Sequence, residues 1–440
     1  MKTIFDKILG RLREDTGGAG GPTLAKCTDL SIVSTGSGLH LVSWTDPADI
    51  TLDGGTVAAW SRTVLVRKEG SYPESVGDGT IVAQTSLEDN THSKYATELC
   101  RDMAPDPSKT YYYKLFSETT GGAVNNLADN KLPSATALTP ATIHDLSQNG
   151  TLLDYLQVGD CIVINHPDFD PSPGGYSGQL VRFMGYDCVT PADGYSHAAV
   201  FQFEDCLYNG TAGYKEIAFD PAESQYALTA DETAVTGKTY YTKSGSTYTA
   251  LTEGTDWTAG DSVPPDTWYE KNPNPNYNYG CNKWVDSNLR QYLNADAAGD
   301  AWWEAKNIWD AGSYKTRPGF LYNLPFKSLL VPITRTIAIS TVYGGGSTTC
   351  EDKVFLPTML EVFNSKINNI SEGLKRWDYY TENASDATSR IKLINGTPQH
   401  WWLASPNASS GYSVYIVNTS GGSSSSNAYY IRGVAPAFAL

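Results

Sequence analysis

The amino-acid sequence predicts an α+β protein in which an all-β sandwich over residues 22–120 precedes a mixed α+β domain over 151–440, the latter interrupted by a small β insertion at 223–271. Three observations carry this. At 440 residues the chain is too long for one ordinary core. Its composition, 12% aromatic with 28 tyrosines and only 18% charged, is that of a β-rich globular chain rather than a disordered one. Short strand-like runs set off by turn residues fill most of its length, whereas two segments of the second half, NKWVDSNLRQYLN and FLPTMLEVFNSK, read as helices.

Taken in order, residues 1–21 read as a short helix followed by a Gly linker. Ile4, Phe5, Ile8, Leu9 and Leu12 share one helical face before TGGAGGP breaks it. So short an amphipathic helix needs a partner, which is its own copies in an oligomer, a neighbouring protein or the next domain. Within 22–120 the runs LHLVSW, RTVLVRK and YYYKLF are strand-like and separated by Asp-Pro, Gly-Ser and Pro-Asp. Trp44 and the tyrosines there read as sandwich core, with no ligand assigned. Residues 121–150 read as a linker with a short helix at Pro140–Gln148. Strands follow at Asp160–Ile164, Leu180–Tyr186 and Ala198–Phe203. The stretch 223–271 alternates Tyr/Thr runs with Gly turns, unlike its flanks, and is too long for a structureless loop. In NKWVDSNLRQYLN, Trp284, Leu289 and Leu293 recur near four-residue spacing, with Asp286 or Ser287 as the cap; a second helix begins near Pro357.

The last forty residues alternate an apolar frame (Trp401, Trp402, Leu403, Val414, Ile416, Val417, Ile431, Val434, Phe438) with Asn, Ser, Gly and Tyr. Between Ala404 and Leu440 there is no Lys, Glu, Gln, Trp or Met, although these types make up 60 of 440 residues and about five would be expected. Two causes fit: plain Ser/Gly/Asn turn chemistry, or randomisation of Asn codons at their two adenines, which reaches Ser, Gly, Asp, Tyr, Ala, Ile and Arg but never those five. With Val414 and Ile416 facing the core, strand alternation turns Ser413 and Tyr415 outward. The same logic around Ile431 and Val434 leaves Tyr430 and Arg432 outward. The Asn407–Tyr412 loop and a turn at Ser423–Asn427 are too polar to bury. The expected binding surface therefore has Tyr412, Tyr415, Tyr429, Tyr430 and Arg432 as anchors, ringed by Asn407, Ser409, Ser410, Asn418, Ser425 and Asn427.

A net charge of −16 and a pI near 4.8 argue against nucleic acid or an anionic membrane as partner. Seven cysteines without CxxC or Cys/His ligand spacing read as reduced, mostly buried thiols. No apolar run reaches the roughly 20 residues of a membrane span. Asp6 and Lys7 interrupt MKTIFDKILG where a signal peptide needs its apolar stretch, so synthesis in the cytoplasm without a signal peptide is expected. No nucleophile elbow, P-loop or His-Glu-x-x-His is present. His166, Asp168 and Asp170 read as a turn with solvated carboxylates rather than a metal cluster. No catalytic residue, metal or cofactor is assigned.

The string WWLASP followed by a strand, a polar turn, a strand and GVAPAF resembles the C-terminal signature Trp-Leu-Arg-Ser-Pro…Gly-Val-Arg-Pro-Ala-Phe of a family of phage and bacterial proteins. That family is similar to the C-type-lectin-like and formylglycine-generating-enzyme folds, and many members are diversified by retroelements at such Asn-rich codons. Asn282–Asn294, Pro318–Leu321, Val354–Glu361 and Glu372–Gly373 look like further elements of it, so the resemblance covers 151–440 apart from the insertion. Ala404 and Ala435 stand where the family usually has Arg. No Cys follows Cys350, and the calcium-site strings of true C-type lectins are absent, so neither the enzyme activity nor calcium-bridged sugar binding is implied. Residues 25–120 resemble a fibronectin type III domain, with Trp44 at the core Trp of its second strand. The resemblances imply a non-enzymatic receptor-binding protein of a phage tail. It would be carried in the virion, joined to other tail proteins through its N-terminus, assembled as a homo-oligomer such as a trimer, and directed at a protein or glycan receptor on the host cell surface. The alternative is a bacterial surface adhesin or structural module of the same fold without diversification.

Overall fold

The computed structural model describes residues 24–52, 55–210, 217–220, 225–228, 232–245, 247–265, 267–271, 279–302 and 316–440. The helix expected at 2–14 lies outside them. Helix and strand are mixed, as an α+β protein requires.

The first part is built from two four-stranded sheets. One runs in the order Thr136–Ala137, Thr28–Ser34, Leu39–Thr45, Cys100–Met103; the other in the order Thr80–Ser86, Trp60–Glu69, Tyr111–Thr119, Val124–Asn125. Inward residues of both sheets meet in one buried cluster containing Ile32, Val42, Trp44, Leu65, Tyr113 and Leu115. This is the outcome of strand alternation with one apolar face on each sheet. The Trp44 indole N–H donates to Asp46 at 2.8 Å. Arg67 and Asp102 form a buried ion pair at 2.6 Å, and the Tyr113 hydroxyl donates to the same carboxylate at 2.7 Å, so the charge is both paired and hydrogen-bonded.

The segment 121–150, expected as a linker, belongs instead to the bodies on either side of it. Val124–Asn125 and Thr136–Ala137 are edge strands of the two sheets, and Leu132 is buried in their core. A two-residue strand has no periodicity to read, which is why only its pairing reveals it. The helix Pro140–Gln148 forms with the expected bounds, capped by the Thr139 hydroxyl accepting from the Thr142 N–H, and buries Ile143 in the second core. The two bodies meet at several points: the Val163 N–H donates to Thr35 at 3.0 Å, the Ser37 hydroxyl to Cys161 at 2.6 Å, and Arg101 pairs with Asp160.

The second body centres on a five-stranded antiparallel sheet, ordered Cys161–Ile164, Gln179–Tyr186, Ala199–Phe203, Ala437–Ala439, Val354–Phe355. Phe201 stacks on Phe438 in its middle, and Phe203 meets Phe438 edge-on. The strands Thr190–Pro191, Ile333–Ala338 and Ser347–Asp352 form a second sheet. The helix Asn288–Asn294 starts at Ser287, whose hydroxyl accepts from the Arg290 N–H; Ser287 rather than Asp286 is therefore the cap. A second helix, Met359–Phe363, starts at Thr358 with a full capping box to Glu361. Within 223–271 the strands Gln225–Ala227, Trp268–Lys271, Tyr240–Ser244 and Thr247–Ala250 form one sheet over their own buried cluster of Leu228, Ala234, Tyr240, Trp257 and Val263.

Six of the seven cysteines are buried and Cys161 is half-buried. Burial pushes the thiols of Cys27, Cys100, Cys161 and Cys350 up to about 12. Among the described residues no helix is long and apolar enough to cross a membrane, and no group of three or more His, Cys, Asp or Glu could hold a metal ion.

Trp401 and Trp402 are both fully buried, donating their indole N–H groups to Arg390 at 2.9 Å and Ile217 at 2.8 Å. Replacing Trp402 by Ala leaves a cavity beside Phe219 and an unpaired Ile217 carbonyl. It is expected to cost about 3–5 kcal/mol, read as a shift in the denaturant midpoint of unfolding.

Candidate functional site

The terminal stretch folds as a three-stranded antiparallel meander of Trp401–Pro406, Ser413–Val417 and Ser423–Asn427. Ser423–Asn427, expected as a turn, is thus a strand. Val417 pairs with Ser423, Ile416 with Ser424, Tyr415 with Ser425 and Ser413 with Asn427. The turn lies just before it, at Asn418–Gly422, where the Asn418 carboxamide oxygen accepts from the N–H groups of Ser420 and Gly422, both at 3.0 Å. Gly421 sits there at φ +79°, and a Cβ would stand 1.9 Å from the Ala387 carbonyl oxygen, so only glycine fits. Serines do not advertise a strand; the pairing with an apolar neighbour makes this one.

Val414 is buried and Tyr415 half-buried, its ring packed partly against the core. Tyr415 and Ser425 are direct cross-strand partners on one face, with Ser413 and Asn427 beside them. Asn407 and Ser410 turn their polar atoms onto their own loop. The Asn407 carboxamide oxygen accepts from the Ser409 N–H at 3.1 Å, and the Ser410 hydroxyl from the N–H groups of Tyr412 and Ser413. With Asn418 they shape the backbone that carries the other side chains. Ser409 and Ser425 are exposed.

The loop is held from below by Asn282, wholly buried, whose side-chain NH2 reaches the carbonyls of Ser410 at 2.6 Å, Ser413 at 2.9 Å and Asn407 at 3.4 Å; its own N–H donates to Gly411. From the side, Tyr343 donates its hydroxyl to Gly411 at 2.8 Å. The carbonyl of Ala408 accepts from the Thr341 N–H at 2.9 Å.

Four tyrosines and an arginine form a continuous aromatic run. Tyr412 lies 4.8 Å from Tyr279, Tyr279 6.0 Å from Tyr429, and Tyr429 4.2 Å from Tyr430, over whose ring the Arg432 guanidinium sits at 5.2 Å. The neighbouring Tyr430 hydroxyl raises the Tyr429 phenol above its ordinary value. Sequence reasoning missed Tyr279, which is 43% exposed and lies 133 positions before Tyr412. Ile431 also departs from expectation: it is 55% exposed rather than part of the frame. It stands three residues from Val434, so strand alternation cannot turn both inward, and Val434 takes the core. Ile431–Arg432 instead pairs with Ile217–Ala218. The surface thus gathers Tyr412, Tyr429, Tyr430 and Arg432 with Tyr279 and Ile431.

Buried polar groups set the position of this surface. Glu372 accepts from the Ala338 N–H at 3.0 Å and from the Ser405 hydroxyl, while the Ser405 oxygen accepts from the Met359 N–H at 2.8 Å and the Glu372 carbonyl accepts from the Thr358 hydroxyl at 2.7 Å. Gly373, at φ +94°, leaves room for the Glu361 carboxylate, which a Cβ would meet at 2.6 Å. Glu361 in turn holds Arg335 at 2.7 Å. Asp352 is gripped by the Trp284 indole at 2.9 Å and by Arg290 at 2.6 Å. Asn294 bonds the backbone of Lys353 and Val354. Ala404 and Ala435 are buried in the main core cluster. His166, expected in a turn whose carboxylates are solvated, is itself wholly buried and donates from Nε2 to the Phe320 carbonyl at 2.8 Å, between Phe169 and Phe320; burial lowers its pKa. Asp168 accepts from Asn323 at 3.0 Å, and Asp170 is exposed.

A family model described as a domain of unknown function (DUF6273) matches residues 261–440. The matched span holds the aromatic run and the polar groups beneath it. Neither the curated proteins nor the solved structures include a match to this chain.

Two outcomes follow from the support beneath the surface. Asn282→Ala leaves the Ser410 carbonyl without its donor and removes one of two donors from the carbonyls of Asn407 and Ser413; it is expected to cost about 1–3 kcal/mol, with faster amide exchange confined to 407–413. Burial raises the Glu372 carboxyl from its ordinary 4.5 to about 7. Between those values the folded form keeps a proton that the unfolded chain has released. The stability from this group is therefore full below about pH 4.5 and lost as pH rises through about 7. Glu372→Gln fixes the neutral form, so its melting temperature is expected to fall less steeply than that of the wild type between about pH 5 and 8.

Proposed function

We propose that this chain is a non-enzymatic receptor-binding protein of a phage tail, or its prophage-encoded equivalent. Residues 151–440 form a C-type-lectin-like domain that presents a sequence-variable face to a host cell-surface receptor. The observation that carries the reading is the aromatic run Tyr412–Tyr279–Tyr429–Tyr430 capped by Arg432, set on strands and loops whose backbone is fixed by buried groups outside the variable stretch. Tyrosine and arginine supply most of the energy in interfaces, and short polar residues supply adaptable fit. A surface whose shape is held by Asn282, Tyr343 and Glu372 tolerates exchange of its exposed side chains without refolding.

The absence of Lys, Glu, Gln, Trp and Met after residue 403 supports diversification by adenine-directed mutagenesis of Asn codons. The order of the two sheets around Trp44 supports a fibronectin type III-like spacer, extended to residue 137 by its two edge strands. Attachment to neighbouring tail proteins and assembly into a homo-oligomer belong to the same proposal. A bacterial surface adhesin of the same fold is the second reading, favoured by the alternative that the terminal composition is ordinary turn chemistry. A reverse-transcriptase gene and a template repeat differing only at adenines, next to this gene, decide between the two.

The direct test replaces Tyr412, Tyr429, Tyr430 and Arg432 together by Ser, leaving Tyr415, whose ring packs partly against the core. Binding of labelled protein to cells of the bacterial strain carrying the gene, or of its relatives, is expected to be lost. The melting temperature should change little, because changes at surface positions cost within about 0.5 kcal/mol each. Intact cell binding by this variant moves the receptor site elsewhere.

A further inference from the structure

We propose that the two-sheet body over residues 24–137 carries a second binding site, a tyrosine-lined groove that takes a neutral sugar unit of a glycan, independently of the C-terminal face. A cavity of about 320 Å³ opens there, bordered by the Gly36–Gly38 turn, the loop from Asp106 to Thr110, and residues 132–135. That volume lies at the small end of ligand clefts, which run to about 300–1,000 Å³.

Three half-buried tyrosines line it: Tyr72, Tyr111 and Tyr112. Tyr72 and Tyr112 pack edge to face at 4.9 Å and 62°, and the Tyr72 hydroxyl donates to the Leu132 carbonyl at 2.8 Å, which fixes the ring. Neither belongs to a buried cluster of the two sheets; the Lys131 ammonium covers the Tyr72 ring at 4.9 Å and the Arg67 guanidinium the Tyr111 ring at 5.3 Å. Rigid rings lose little entropy when a ligand arrives, and an aromatic face such as that of Tyr112 suits the C–H face of a pyranose.

The polar groups on the same wall fit hydroxyls. Asp106 accepts the N–H and the hydroxyl of Ser108 on Oδ1, leaving Oδ2 without a protein partner. His40 shares a 2.6 Å hydrogen bond with Tyr113 through Nδ1, leaving Nε2. One acid and one base, Asp106 and Lys109, line the groove, and Lys109 already lies 3.5 Å from Glu69. A groove whose lining residues balance one acid against one base, with aromatic walls and two unused hydrogen-bonding atoms, matches a neutral polyhydroxylated ring better than a phosphate or a charged peptide.

The test uses the full-length protein titrated with an N-acetylglucosamine trimer, with maltotriose and with a galactose-containing trisaccharide, and separately with a proline-rich decapeptide, the other occupant that aromatic grooves take. Binding of at least one sugar in the millimolar-to-micromolar range is expected, by calorimetry or saturation-transfer NMR. Tyr72→Ser with Tyr112→Ser should weaken it at least about tenfold. So should Asp106→Asn, which keeps the Oδ1 contacts to Ser108 and leaves the core untouched. The fourfold Ser variant of the C-terminal face should bind the sugar unchanged, which separates failure of this proposal from failure of the receptor reading. The proposal is overturned if no sugar binds at about 10 mM, if the peptide binds and the sugars do not, or if sugar binding survives both groove variants.

Discussion

Buried Glu372 joins three segments that are far apart in the chain: its carboxyl takes Ala338 at the end of one strand and Ser405 in the strand that opens the terminal meander, and its main-chain carbonyl takes Thr358 at the start of a helix. A carboxyl so fully removed from water is costly unless hydrogen-bonded, so its partners can sit in only one arrangement. That arrangement sets where the Trp401–Pro406 strand lies, and through its pairing where Ser413–Val417 and Ser423–Asn427 lie. The neighbouring Arg335–Glu361 pair, also buried, ties the same helix to the strand Ile333–Ala338.

Around this anchor, labour is divided by depth. Asn282, Trp284, Arg290 and Asn294 come from one short helical segment, and each satisfies a backbone or carboxylate group of another element. The side chains on the outer face make few contacts of that kind. Tyr430, Ile431, Ser409 and Ser425 are exposed. A fold in which polar satisfaction is concentrated beneath a surface, and not within it, keeps its shape when that surface changes.

The body over 24–137 is not a loosely tethered appendage. The hydrogen bonds from Val163 to Thr35 and from Ser37 to Cys161, with the Arg101–Asp160 pair, join it to the edge strand of the five-stranded sheet. The segment between the bodies has no free length, since its two edge strands belong to the first and its helix to the second.

The sequence by itself determined what depends on neighbours a few residues away. Alternation and apolarity located the strands at 161–164, 179–186 and 199–203 to within a residue; the helix Pro140–Gln148 was placed with its bounds; and Trp401 and Trp402 were assigned to the apolar frame, at least one of them to be buried, where both are. Tertiary structure alone decided whatever needs a partner far along the chain. Tyr279 enters the aromatic run because Asn282, three residues on, holds the 407–413 loop, a contact across more than 120 positions. His166 is buried because Phe320 supplies an acceptor 154 residues later. Ser423–Asn427 becomes a strand because Ser413–Val417 offers it an edge, and Ile431 turns outward because the core has room for only one of two apolar residues at odd spacing. Side-chain periodicity is local physics, whereas hydrogen-bond satisfaction and burial are settled only when the chain closes on itself.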